Sequence, residues 1–160
     1  MLSIRLICVG KLKENYFYQA MSEYEKRLHY YCRFECLEIP EVGIREKPSE
    51  SEILQAIDKE GQTVIKSIPD GAFFIPLCIE GKKFSSEGLA NILKTCASSG
   101  KSKICFAVGG SFGLSESVKK RADVKLSMSD MTFPHHLARV MITEQIYRGF
   151  KINEGSAYHK

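Results

Sequence analysis

Hydrophobic and polar positions along this chain keep switching between two periods. Short apolar runs at Ser3 to Val9, Phe34 to Ile39, Ala72 to Ile79 and Ile104 to Val108 read as strands. Between them lie longer stretches with apolar residues three and four apart. In Tyr16 to Tyr30 these are Phe17, Ala20, Met21, Tyr24 and Leu28, one face of a helix. Ser49-Glu50-Ser51-Glu52 has capping-box spacing, with Ser49 at the N-cap and Glu52 reaching back; it opens a helix to about Ser67, weakened by Gly61. Another helix is expected from about Ser86 to Cys96. The punctuation agrees: Gly10, Pro40 and Pro69-Asp70-Gly71 fall between elements, Glu80-Gly81-Lys82-Lys83 reads as a turn, and the charged segment Glu41 to Pro48 reads as a mobile loop. Strands alternating with helices predict an α/β fold, a mainly parallel sheet flanked by helices, in a single domain over residues 1–160.

After Val108 the pattern changes. A glycine turn (Gly109, Gly110, Gly113) leads to a helix start, a second short strand and the loop Ser127 to His135. Pro134 suits the first turn of a helix, so the closing helix is expected to begin near His135. That helix carries two apolar stripes: Leu137, Val140, Met141 and Tyr147, and Ala138, Ile142, Ile146 and Phe150. Two apolar sides need two partners. The sheet supplies one; a second copy of the chain, giving a homodimer, is favoured over deep burial in a small monomer.

The chain has 160 residues, a net charge of +4 and 44% hydrophobic residues, enough for a buried core and mildly suited to a phosphate-rich partner. No run is long enough to span a membrane, and none resembles a signal peptide. Cys8, Cys78 and Cys105 fall inside apolar strands, and Cys32 and Cys36 lack metal-ligand spacing, so reduced thiols, no metal and a cytoplasmic location are expected.

Three groups of residues could carry chemistry. Val108-Gly109-Gly110-Ser111-Phe112-Gly113 lies between a strand and a helix, where ligands bind at the carboxyl edge of α/β sheets. Its spacing matches neither the dinucleotide fingerprint nor a Walker loop, so it fits a ligand cradle or a plain tight turn. The loop Ser127 to Phe133 has free amides and carbonyls that could grip a purine edge. Finally, Arg139, Glu144 and Arg148 share the last helix, as a surface ion pair or as arginines ready for phosphate. Tyr158, His159 and Lys160 offer an aromatic face, an imidazole and a cation, or merely a solvated tail.

Together, the strings Val108 to Leu114, Leu126 to His135, Glu144-Gln145-Ile146-Tyr147-Arg148 and Tyr158-His159-Lys160, with Val9 to Lys13 and Glu23 to Leu28, resemble the RlmH family. These are SPOUT-class methyltransferases of large-subunit ribosomal RNA. The resemblance covers nearly the whole chain. It implies a C-terminal trefoil knot, a homodimer, and S-adenosyl-L-methionine held by Leu77, Gly109 and Met128, Ser129, Asp130, Met131, Thr132 and Phe133. The implied reaction is methylation of N3 of a pseudouridine in 23S ribosomal RNA, on the assembled ribosome. His159 is the expected base or proton relay, with Tyr158 and Arg148 in the catalytic group and His135, Arg139 and Lys160 on the RNA side. Ser111-Phe112 and the terminal lysine depart from the Pro-Glu and arginine of many relatives; lysine keeps the charge but loses the bidentate fork. A transfer-RNA enzyme of the same class, or a non-catalytic ribosome-binding factor, are the rival readings.

Overall fold

The computed structural model describes residues 1–160. Five strands form one parallel sheet in the order β2-β1-β4-β3-β5, where β1 is Ser3–Val9, β2 Arg33–Ile39, β3 Phe73–Lys83, β4 Lys103–Val108 and β5 Leu126–Ser127. β1 pairs with β2 from Ser3 opposite Arg33 to Val9 opposite Ile39, and with β4 from Ser3 opposite Lys103 to Cys8 opposite Val108. The central strands are therefore covered on both faces. Their apolar runs are near-continuous for that reason, and β4 is buried from Ile104 to Val108.

Helices α1 (Asn15–Leu28), α3 (Ser86–Ser98) and α5 (His135–Asn153) supply one face, where Met21, Leu28, Leu89, Leu93, Ile142 and Ile146 meet Ile4, Leu6, Ile104 and Phe106. Helices α2 (Glu50–Ser67) and α4 (Glu116–Lys120) cover the other, packing Val64 and Val118 against Ile7, Phe74 and Cys105. Ser49 caps α2 as expected, its Oγ accepting from Glu52 N at 3.2 Å. The reciprocal half of the capping box is absent, because the Glu52 carboxylate binds Arg45 instead.

One expected turn is strand. Glu80-Gly81-Lys82-Lys83 continues β3, with a register shift between Leu77 and Lys82 where β5 joins. At Gly81 an added Cβ would lie 2.8 Å from the backbone of Lys125 and Leu126, so only glycine lets the two strands approach. In the closing helix the stripe containing Ile142 and Ile146 is buried on the core. Val140 and Met141 of the other stripe are only half-buried, and Leu137 is exposed. All six cysteines are free thiols, and no helix is long and apolar enough to cross a membrane.

Candidate active site

The chain ends of β3, β4 and β5 open onto one cleft of about 740 Å³. That volume suits a small organic ligand. Its walls are Leu77 to Glu80 from β3, the turn Val108 to Leu114 after β4, and the segment Leu126 to His135 leading into α5. The turn is shaped by close backbone contact. Gly113 N donates to Gly110 O at 3.1 Å, and Gly113 takes φ +81°, which a side chain rarely tolerates. A Cβ on Gly109 would lie 2.6 Å from the Gly113 carbonyl carbon. Glycine is thus required at position 109 by the packing of the turn on itself.

Leu77, Gly109, Met128, Ser129, Met131, Thr132 and Phe133, all expected cofactor contacts, line this cleft. Asp130 does not line it; its carboxylate, 83% exposed, accepts from Lys83 Nζ at 2.6 Å and ties the loop to β3. Within the loop, Ser127 Oγ donates to Ser129 O and Met131 N donates to Ser129 Oγ, fixing its path through local hydrogen bonds. Sequence reasoning missed the only acidic and lysyl side chains on the wall, Glu80 and Lys119, which pair with each other and hold the Glu80 carboxyl below its ordinary range. Glu80 was hidden by the turn assignment.

His135 stands on the cleft wall, half-buried at the start of α5. Burial, helped by His136, lowers its pKa, so it is a neutral imidazole at pH 7. Arg139 is a correction. Its guanidinium is 2% exposed, donating to Glu38 Oε2 and, through Nη2 at 2.9 Å, to Gly10 O. It clamps α5 to β2 and to the end of β1, and no phosphate can reach it without breaking that clamp.

The C-terminal residues form a second constellation, docked rather than frayed. Glu144 on α5 is its hub. Arg148 Nη2 donates to Glu144 Oε1 at 2.6 Å, and Tyr158 Oη donates to the same oxygen at 3.1 Å. Arg148 also lies over the Tyr158 ring, with Cζ 4.8 Å from its centroid. Burial and the Glu144 carboxylate push the Tyr158 phenol up to about 12, keeping it a donor. Arg148 Nη1 is 3.3 Å from His159 Nδ1, and His159 Nε2 is 2.8 Å from Glu87 Oε1. A guanidinium can only donate, so Nδ1 accepts and the ring proton sits on Nε2, donating to Glu87. Arg148, Tyr158 and His159 are thus brought together, while Lys160 stays exposed.

The two constellations are neighbours, not one site. A further cleft of about 560 Å³ is lined by Glu144, Gln145, Val140 and Met141 of α5, by Phe84, and by Leu126 to Met128. It shares the Leu126 to Met128 wall with the first cleft, and its rim carries the carboxylate that orients Tyr158.

A parallel sheet whose carboxyl edge is closed by a glycine turn and a rigid loop before the last helix defines a class, and the comparisons agree. A family model described as predicted SPOUT methyltransferase matches residues 2–159. The chain belongs to this family, and that membership implies the C-terminal trefoil knot of the SPOUT class. It is 46% identical over 159 residues to ribosomal RNA large subunit methyltransferase H of Clostridium botulinum, covering 99% of this chain and all of that protein. It is 45% identical over the same length to ribosomal RNA large subunit methyltransferase H 1 of Clostridium perfringens, with the same coverage. Among solved structures, a probable methylase family protein from Haemophilus influenzae superposes with a TM-score of 0.55 at 12% identity, over 100% of this chain and 72% of that one. A putative methylase family protein from Neisseria gonorrhoeae gives 0.53 at 12% identity, over 91% and 82%. At such identity these two speak for the fold alone.

Proposed function

We propose that this chain methylates N3 of a pseudouridine in large-subunit ribosomal RNA, using S-adenosyl-L-methionine, in the cytoplasm. The observation that carries the reading is the cleft at the ends of β3, β4 and β5, in a chain alike over its whole length to proteins named as large-subunit RNA methyltransferases.

The residues present fit the donor. The cleft has the right volume, and Met128, Met131 and Phe133 give apolar surface beside the Ser129 and Thr132 polar groups. When bound, the sulfonium supplies an electrophilic methyl group. The chain's own work is therefore positioning and proton removal. An imide nitrogen carries its proton at neutral pH and has to lose it at or before attack. His159 is the base or relay in this reading. Its Nδ1 is occupied by Arg148, so substrate entry separates that contact before the ring can accept a proton. Tyr158, held as a donor by Glu144, hydrogen-bonds or packs the target base, and Lys160 favours the anion.

A homodimer completes the site. The half-buried Val140 and Met141 and the exposed Leu137 form the side of α5 that the sheet leaves uncovered, and a partner subunit fits there. One subunit then holds the donor while its partner helps present the RNA. Mixed dimers joining a Gly109→Ala subunit to a His159→Ala subunit test this, since a shared site restores activity in only one of the two active-site combinations.

Mapping methylation in large-subunit RNA from cells with and without this protein tests the function. Loss of a single N3-methylated pseudouridine is expected; an unchanged map overturns the reading.

A further inference from the structure

The turn between β1 and α1 lies beside the cleft and has no part in the roles given above. Lys11, Lys13, Tyr16 and Tyr18 are exposed, the tyrosines at 64% and 66%. Glu14 Oε2 lies 3.5 Å from His136 Nδ1. Neither Lys11 nor Lys13 forms a salt bridge, although Lys11 is near enough to Glu38 to help lower its carboxyl pKa.

Two independent contacts join this turn to the cleft. The first is a chain of rings: Tyr16 to Phe17 at 4.6 Å, Phe17 to His136 at 6.2 Å, and His136 to His135 at 4.2 Å, where His135 stands on the cleft wall. Lys13 lies close enough to His135 to help lower its pKa. The second is the Arg139 clamp on Gly10 O, which fixes the start of the turn relative to α5. On the far side of Gly10, Glu41 accepts from Ser111 Oγ at 3.2 Å, so the acidic group of this rim is held against the glycine turn.

Exposed tyrosines following lysines free of salt bridges are what a single RNA strand needs: ring faces for bases and cations for phosphates. On an ordinary solvated helix they would have no reason to lead into a cleft. We infer that the β1–α1 turn and the first turn of α1 form an RNA-docking edge, with Lys11 and Lys13 on phosphates and Tyr16 and Tyr18 under bases of the single strand flanking the target nucleotide. The inference rests on the methyltransferase reading and names the path by which its substrate enters.

The test uses large ribosomal subunits from cells lacking this protein, with binding measured by co-sedimentation over a range of salt and methyl transfer measured separately. K11Q/K13Q should weaken binding at least tenfold at low salt and lower the slope of log affinity against log salt by about two. Y16A/Y18A should weaken it about tenfold with the slope kept. S-adenosyl-L-methionine affinity by calorimetry should stay within twofold in both. Unchanged affinity and slope in both variants overturns the inference. So does loss of donor binding, which would make the turn merely structural. Wild-type protein that binds the subunits but transfers no methyl group sinks the enzymatic reading alone, and one that does not bind them sinks both.

Discussion

The cleft and the tail are built from different materials. The cleft is lined by a glycine turn, a strand end and a loop tied by its own serines, with apolar side chains such as Leu77, Met128 and Phe133 between them. The tail depends on three side chains around one carboxylate, with Arg148, Tyr158 and Gln145 all donating to Glu144. A surface made of backbone tolerates exchange of most side chains and fails when a missing one is added. A polar cluster fails when any member is removed. In the proposed function, the donor cleft can therefore serve many sequences, whereas the acceptor chemistry is written in a few named residues.

The largest effect that separates the two is expected at Gly109. Gly109→Ala puts a Cβ against the Gly113 backbone at 2.6 Å, which the turn cannot relieve without opening. Donor binding by calorimetry should fall more than about 100-fold, the scale of several kcal/mol of lost contact and strain. Arg139→Ala comes next. It strands the Gly10 carbonyl and deprives Glu38 of its partner, and should lower the unfolding free energy by about 3 kcal/mol in urea. Glu38 is partly exposed and can turn to water, so the loss falls at the lower end of that range.

His159→Ala should leave donor affinity and stability nearly unchanged while slowing methyl transfer about 100-fold in single-turnover assays. Wild-type turnover would remove His159 from the chemistry. Tyr158→Phe deletes one hydrogen bond to Glu144 and should slow transfer by up to about tenfold. The phenol also leaves a spectroscopic mark. Its folded pKa of about 12 exceeds the ordinary phenol value of 10.0, so its contribution is complete below pH 10 and fades as pH rises through 12. Ultraviolet titration should show one late-ionising tyrosine that the variant lacks. Asp130→Asn is the smallest: the pair with Lys83 is exposed, and both stability and donor affinity should change by less than about 0.5 kcal/mol.

These contrasts also mark how far the sequence could be read. Apolar period announced β1 and β4, because buried strands have little choice of residue, and also the edge strand β2, where only Ile39 is buried. It failed at Glu80 to Lys83, where the pairing partner is the distant Leu126–Ser127 and the residues face outward, so no alternation survives. The expected cleft residues came together, apart from the outward Asp130, because a backbone site leaves a composition signal of glycine, proline and small polar residues. Arg139 was misplaced as an RNA contact for the opposite reason. Nothing local tells an arginine bound to a carboxylate on another strand from one awaiting phosphate; Glu38 lies 101 residues away. The docked tail was half-legible: Tyr158 and His159 stood out, while Glu87, which receives the imidazole proton, did not.

The clamp at Arg139 has a further consequence for how tightly ligand is held. β5 pins one end of the segment before α5, and the guanidinium pins the other through β2 and Gly10. The entropy of ordering that stretch is thus spent during folding, ahead of any encounter. A donor molecule meets a finished mould, so association should need no slow rearrangement, and loosening the distant clamp should show up as faster escape of the ligand more than as slower arrival.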